Sequence, residues 1–234
     1  MIAQIGYTNS NCQDVWEMFV GEIKKQTKIP LYMISDKKVD FLDNDSQIIY
    51  DNSDPYYKVW VDAVQKFGQD YFIYLQEDFV LYDKVDDEKI NEYVEFLKNN
   101  PQYSFVRLLK SGNLGTRKLS LTLYEIESMN PNIFAMQATI WRSSDYILLM
   151  NTVKSNGWLE TDADYRNNMI SLGISGVYHY DGEPKRGGVH YDSNVYPYIA
   201  TALVKSKWDM SEYDKELREI LTKYKVDVNK RGII

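Results

Sequence analysis

Apolar and polar residues alternate along this chain in blocks of two lengths. The short blocks are IAQIGYT at residues 2–8, LYMIS at 31–35 and YFIYL at 71–75. Their length and their β-branched or aromatic content predict buried strands. Longer blocks lie between them, with apolar residues recurring at helical spacing. Residues 13–26 place Val15, Trp16, Phe19, Val20 and Ile23 on one face. The next helix follows a Ser53-Asp54-Pro55 start and precedes a Gly68 stop, with a stripe of Tyr56, Trp60, Ala63, Val64 and Phe67. A third opens at Asp86-Asp87, carries Ile90, Tyr93, Val94 and Leu97, and closes at Asn99-Asn100-Pro101.

The second half repeats the theme. Residues 103–109 and 133–141 are predicted strands, and 143–153 a short helix. KSGNLGTRK, 110–118, is polar and glycine-bearing, which predicts a mobile loop. A Thr161-x-x-Asp164 capping pattern opens another helix that stops at Gly173. GVYHY, 176–180, reads as a strand and 181–193 as a loop. Residues 211–225 form a last amphipathic helix with Tyr213, Leu217, Ile220, Leu221 and Tyr224 inward. Strands alternating with helices from the start predict an α/β fold. No repeat and no low-complexity linker divides the chain.

Composition narrows the function classes. The 234 residues carry a formal charge of −7 and a pI near 5.0. Non-specific nucleic-acid binding calls for a basic stripe, so no nucleic-acid partner is expected. A local phosphate site is compatible with an acidic chain. Cys12 is the lone cysteine, so no intramolecular disulfide can form, which fits a reducing compartment. Neither a basic, apolar leader nor a long apolar run is present, which predicts a soluble cytoplasmic protein without a membrane span. Tyrosine is abundant, with 20 copies. It reads first as core and half-buried surface, and second as a stacking surface for sugars or bases.

The candidate chemistry sits where strands end. The first strand runs into Thr8-Asn9-Ser10, the second into Ser35-Asp36 and the third into Gln76-Glu77-Asp78. Ligands of open α/β sheets bind beyond the carboxyl ends of the strands. The three polar tails therefore predict one shared cleft. Adjacent carboxylates at a strand end suit a hard cation shared with substrate phosphates, Mn²⁺ or Mg²⁺. A helix cap or an ion pair with a lysine is the equally weighted structural alternative.

Two later segments add candidates. NGWLETDADYRNN holds Glu160, Asp162 and Asp164 behind Trp158. Acids at a helix start are favoured by the dipole in any case. They also suit a general base held rigidly beside an aromatic floor. KRGGVHYDS, 185–193, combines Lys185 and Arg186 for phosphate, two glycines for close backbone approach and His190 as a possible metal ligand. The other histidine, His179, lies within a strand pattern and reads as a hydrogen-bonded core residue.

Together these residues resemble a GT-A glycosyltransferase, the class with a Rossmann-like domain that uses nucleotide sugars. YLQED, 74–78, stands where that family has an apolar strand and Asp-x-Asp, with Gln76 at the first Asp position. WLETD, 158–162, resembles its Trp-Gly-Gly-Glu-Asp acceptor motif, and GGVHYDS stands where many members place a late metal-binding His. The resemblance implies a single domain over 1–234 with a mixed, mostly parallel central sheet flanked by helices. Its parts would be a nucleotide-sugar-binding half at 1–110, an acceptor side at 111–205 and a C-terminal helix and tail at 206–234. It implies a nucleotide-diphosphate sugar donor held by Thr8, Asn9, Ser10, Asp36, Gln76, Glu77, Lys185 and Arg186. It also implies a metal on Asp78 and His190, a carbohydrate or glycoprotein acceptor on Trp158, and inversion by Asp162 or Glu160.

Two rivals remain. GNLGTRKL, 112–119, is similar to the phosphate loop of sugar-phosphate nucleotidyltransferases, but it does not follow the first strand. The fold could also serve a carbohydrate-binding protein without catalysis. If Asp162 is the general base, Asp162→Asn lowers turnover about 10²–10⁴-fold while donor binding persists, and Glu160→Gln loses less. Single-turnover rates beside donor affinities check this. A dead Glu160→Gln beside a fully active Asp162→Asn reverses the assignment.

Overall fold

A computed structural model describes residues 2–154 and 163–234. The expected α/β architecture is present. Eight strands form one mixed sheet: β1 (Ile2–Tyr7), β2 (Leu31–Ser35), β3 (Gln47–Ile49), β4 (Tyr71–Gln76), β5 (Phe105–Arg107), β6 (Leu123–Glu125), β7 (Thr139–Arg142) and β8 (Gly176–His179). Their spatial order is β3-β2-β1-β4-β7-β5-β8-β6. The first four are mutually parallel, as is the β5–β8 pair. β7 runs antiparallel between β4 and β5, and β6 closes the far edge antiparallel to β8.

Helices α1 (Gln13–Gln26), α2 (Tyr56–Phe67), α3 (Asp87–Asn99), α4 (Ser143–Val153), α5 (Ala163–Ser171) and α6 (Asp214–Lys223) complete the fold. Two small hairpins lie apart from the main sheet, β9 (Lys185–Arg186) with β10 (His190–Tyr191), and β11 (Leu203–Val204) with β12 (Lys207–Trp208).

Strand alternation sorts side chains onto the two faces of the sheet. On one face Trp60 of α2 stacks on Tyr74 at 4.7 Å, and Tyr146 of α4 meets Phe72 edge-on at 5.1 Å. Tyr56, Tyr74 and Tyr146 are all buried, and the hydroxyls of Tyr56 and Tyr74 satisfy each other at 3.1 Å. Much of the tyrosine excess is thus core. On the opposite face, Gly6 leaves room for Phe19 of α1. A Cβ at Gly6 would sit 2.9 Å from the Phe19 ring and 3.0 Å from the Met33 sulfur.

Several boundaries differ from those the sequence predicts. Of 133–141, only the last residues join the sheet as β7. The rest is drawn aside by the buried Arg107, whose guanidinium donates to the carbonyls of Asn132 and Ile133 at 2.9 and 3.0 Å. The segment 110–118 is tied down rather than loose. Tyr178 donates to the Gly115 carbonyl at 2.7 Å, and Arg117 pairs with Glu125 at 2.8 Å. The segment 181–193 is not all loop, because it contains the β9–β10 hairpin. The last helix is shorter at both ends than its apolar stripe.

Gly6→Ala lowers the unfolding free energy by about 1–3 kcal/mol, because Phe19 and Met33 are fully buried and have no room to yield. Urea denaturation followed by far-ultraviolet circular dichroism checks it.

Candidate functional site at the strand ends

The pairing of β1 fixes the site. Tyr7 at its end is level with Ile34 of β2 on one side and Gln76 of β4 on the other. The polar tails of the three strands therefore leave the sheet together, as predicted. Beyond them opens a cleft of about 510 Å³, within the size range of small-molecule sites. Tyr7, Gln76, Glu77 and Asp78 form its sheet side, and the stretch from Ala200 to Ser206 contributes the opposing wall.

Each tail is held in its own way. Thr8 is fully buried, and its hydroxyl accepts the Trp16 indole N–H at 2.7 Å, so it anchors α1 beneath the cleft. Asn9 lines the cleft and caps the short turn Ser10–Cys12. Asp36 accepts the Ser10 backbone N–H at 2.6 Å and its hydroxyl at 2.8 Å, tying the β1 and β2 tails together. Gln76 donates its amide to the Tyr74 hydroxyl at 3.0 Å.

Glu77 is the electrostatic centre of this group. Protein atoms enclose it although part of its surface opens to the cleft. Burial raises its pKa above the ordinary carboxylate value, opposed by a hydrogen bond from Cys12 and by the charge of Arg231. The Cys12 thiol is raised in turn, first by burial and then by Glu77. Arg231, from the far end of the chain, forms a bidentate pair with Asp14, one bond at 2.8 Å, and donates to the Asn11 carbonyl at 2.8 Å. It also reaches the Ser206 carbonyl at 3.3 Å. Cys12, Asp14 and Arg231 carried no motif in the sequence. Arg231 meets Asp14 across 217 positions, which no local pattern signals.

The remaining candidates lie elsewhere. Arg186 pairs with Glu216 at 2.5 Å and Asp192 at 3.4 Å, and stacks over the Tyr213 ring at 4.7 Å. It binds the β9–β10 hairpin to α6 and does not line the cleft, and neither does the exposed Lys185. His190 is buried beside them. Its Nδ1 meets Glu212 at 2.7 Å and its Nε2 meets Gln137 at 3.3 Å, so both ring nitrogens are engaged. Among the described residues, no group of three His, Cys, Asp or Glu side chains is placed to hold a metal. Trp158, Glu160 and Asp162 lie outside the described residues.

His179 is the hydrogen-bonded core residue its strand position predicts, set between the Tyr93 hydroxyl and Glu183 at 2.7 Å each. Burial acts to raise the Glu183 carboxyl, yet the bonds from His179 and the Asp181 N–H prevail and hold it at about 2.

The sequence matches no family model and no curated protein. Solved structures distantly similar in fold include the following three. A cytidylyltransferase from Leptospira borgpetersenii is 13% identical, with a TM-score of 0.46 over 100% of this chain and 98% of its own. A CMP:2-keto-3-deoxy-manno-octonic acid synthetase complexed with CTP is 11% identical, with a TM-score of 0.45 over 76% of this chain and 88% of its own. TarS of S. aureus is 13% identical, with a TM-score of 0.48 over 100% of this chain and 40% of its own. Likeness at this distance assigns no activity. Among the described residues, no helix is long and apolar enough to cross a membrane.

The raised Glu77 pKa has a signed consequence. The folded state holds its proton to higher pH than the unfolded chain does. Ionising Glu77 therefore costs stability as pH rises from the unfolded value of 4.5 through the folded one. Glu77→Gln removes that cost. The variant melts above the wild type at pH 7, and the advantage vanishes below pH ~4. Melting curves across pH check it, and an advantage that grows toward acid contradicts it.

Proposed function

We propose that this protein is a glycosyltransferase that moves a sugar from a nucleotide-diphosphate donor to a hydroxyl of a carbohydrate or glycoprotein acceptor. One observation carries the reading. The carboxyl ends of parallel strands β1 and β4 open into a single cleft, the β2 tail is tied beside it through Asp36 and Ser10, and Gln76-Glu77-Asp78 stands on its floor. That is where open α/β sheets take nucleotides. The cleft also has the mixed lining, an aromatic ring beside amides and carboxylates, that a nucleoside with its sugar requires.

In this reading Tyr7 and Asn9 face the nucleoside, and the Ser10–Asp36 pair fixes the rim beside them. Asp78 is the candidate ligand for Mn²⁺ or Mg²⁺. One carboxylate suffices when substrate phosphates and water complete the shell of such a cation, as is usual for Mg²⁺. Glu77, with its raised pKa, is the poorer ligand and better suited to keeping a proton in the cleft. A bound cation would neutralise charge on the departing diphosphate. The base of an inverting transfer is assigned to Asp162, with Glu160 as the alternative and Trp158 as the acceptor floor.

The nucleotidyltransferase reading is less well supported. Its phosphate loop must follow β1, whereas Gly112–Leu119 is fastened to β6 and β8 at the other end of the sheet. Pyrophosphate release from a nucleoside triphosphate would favour it. Failure to hydrolyse any nucleotide sugar, even slowly and without acceptor, would favour a binding protein.

Thermal shift with nucleosides, nucleoside diphosphates and nucleotide sugars, with and without Mn²⁺, tests the proposal. A matched nucleotide at 100 times its Kd stabilises by about 2.7 kcal/mol. Asp78→Asn abolishes the Mn²⁺-dependent part of that shift, read against the variant's own ligand-free melting point. No shift from any nucleotide overturns the proposal. Full nucleotide affinity in EDTA overturns the metal assignment alone.

A further inference from the structure

Beside the strand-end cleft lies a second one, of about 640 Å³, bordered by Lys205, Lys207, Lys230 and Arg231. The two clefts share Asn11, Lys205 and Ser206 as a common rim. We propose that this second cleft supplies the cationic side of an anion subsite on the shared rim, which takes the diphosphate of a ligand whose remainder fills the first, where Asp78 stands. The proposal rests on the nucleotide-sugar reading and assigns the phosphates to residues remote from Lys185 and Arg186.

Charge is the first argument. The chain as a whole is acidic, at −7, yet four cations converge here around a single carboxylate, Asp14. That carboxylate is already neutralised by Arg231. Among the described residues, Lys205, Lys207 and Lys230 have no carboxylate partner, so their charge is open to a ligand. By contrast, Arg186 is occupied by Asp192 and Glu216.

Construction is the second. Lys230 lies 23 or more positions from Lys205 and Lys207, and specific bonds bring them together. Arg231 spans from the Asn11 carbonyl to the Ser206 carbonyl. The chain end also pairs with β12, through Trp208 N–H to the Gly232 carbonyl and Ile234 N–H to the Trp208 carbonyl, each at 3.0 Å. Gln13, also on the border of the cleft, opens α1, whose dipole favours an anion, and Ser10 and Asn11 lie in the short turn just before it.

Backbone strain is the third. Lys205 and Ser206 form the two-residue turn between β11 and β12 with φ of 49° and 64°. Such a turn is most relaxed as Asn-Gly. A lysine and a serine held there are strained, and strain of this kind clusters at ligand clamps. The turn puts both residues on the rim between the clefts, where a diphosphate would cross.

Binding of inorganic pyrophosphate to the full chain, read by thermal shift and calorimetry, tests the proposal. Lys207→Gln/Lys230→Gln removes two charges from exposed side chains, and an unchanged ligand-free melting point confirms the fold. Lys205→Asn removes the third charge with a residue that accepts the left-handed turn. The double variant is expected to weaken pyrophosphate at least about tenfold, as loss of charged hydrogen bonds implies, with Lys185→Gln unchanged. A nucleoside diphosphate should weaken in parallel, and the bare nucleoside should not. Wild type that fails to bind pyrophosphate overturns the proposal, as do variants that bind it normally. Pyrophosphate weakened with nucleoside diphosphate unaffected also overturns it, by detaching this cleft from the donor. Each of these results leaves the glycosyltransferase reading to stand or fall on nucleotide-sugar hydrolysis.

Discussion

The site depends on one constraint, the register of β1 between its two parallel neighbours. Every residue of β1 pairs with β4, from Ile2↔Tyr71 to Tyr7↔Gln76, and its last four, Gln4 to Tyr7, pair with β2. Parallel strands covered on both faces must be apolar almost throughout. Their polar residues are therefore displaced to the ends, and the shared register brings those ends level. The acids after YFIYL stand where β4 leaves the core, beside the tails of β1 and β2.

The sheet alone makes a floor. The opposing wall comes from the last third of the chain, and Arg231 holds it in place. A guanidinium has five donors in a fixed planar fork. Here they reach the start of α1 through Asp14 and Asn11, and the β11–β12 turn through Ser206. The same cation acts on Glu77 and Cys12 from one side, and lowers the cost of their burial. Arg231 thus joins the wall of the cleft and also opposes, without overcoming, the burial that raises Glu77.

The legible part of the fold was the local part. The faces of α1, α2 and α3 are the apolar stripes of their sequences, because a periodic face must bury itself against something. The strand-end cleft was legible for the same reason. β6 and the two-residue hairpins were not, since they lack the length to show a period. Residue roles were harder to read when they hung on partners far away in sequence. Arg186 looks like a phosphate ligand until Asp192 and Glu216 are seen beside it, and His190 like a metal ligand until Glu212 and Gln137 are. The lysines of the C-terminal cleft carried no pattern at all.

The amide at Gln76, where the glycosyltransferase pattern has a carboxylate, has a physical reading in this setting. Its Nε2 donates to the Tyr74 hydroxyl, which already shares a hydrogen bond with Tyr56 inside the aromatic core. Nε2 also lies 3.1 Å from the sulfur of Met136, in the segment that precedes β7. An aspartate would lose that donor. It would also add a negative charge next to Glu77, whose own ionisation is already disfavoured by burial. Like charges in one poorly solvated site cannot both ionise freely. The neutral amide keeps the end of β4 joined to the core and spares Glu77 a second adjacent carboxylate besides Asp78.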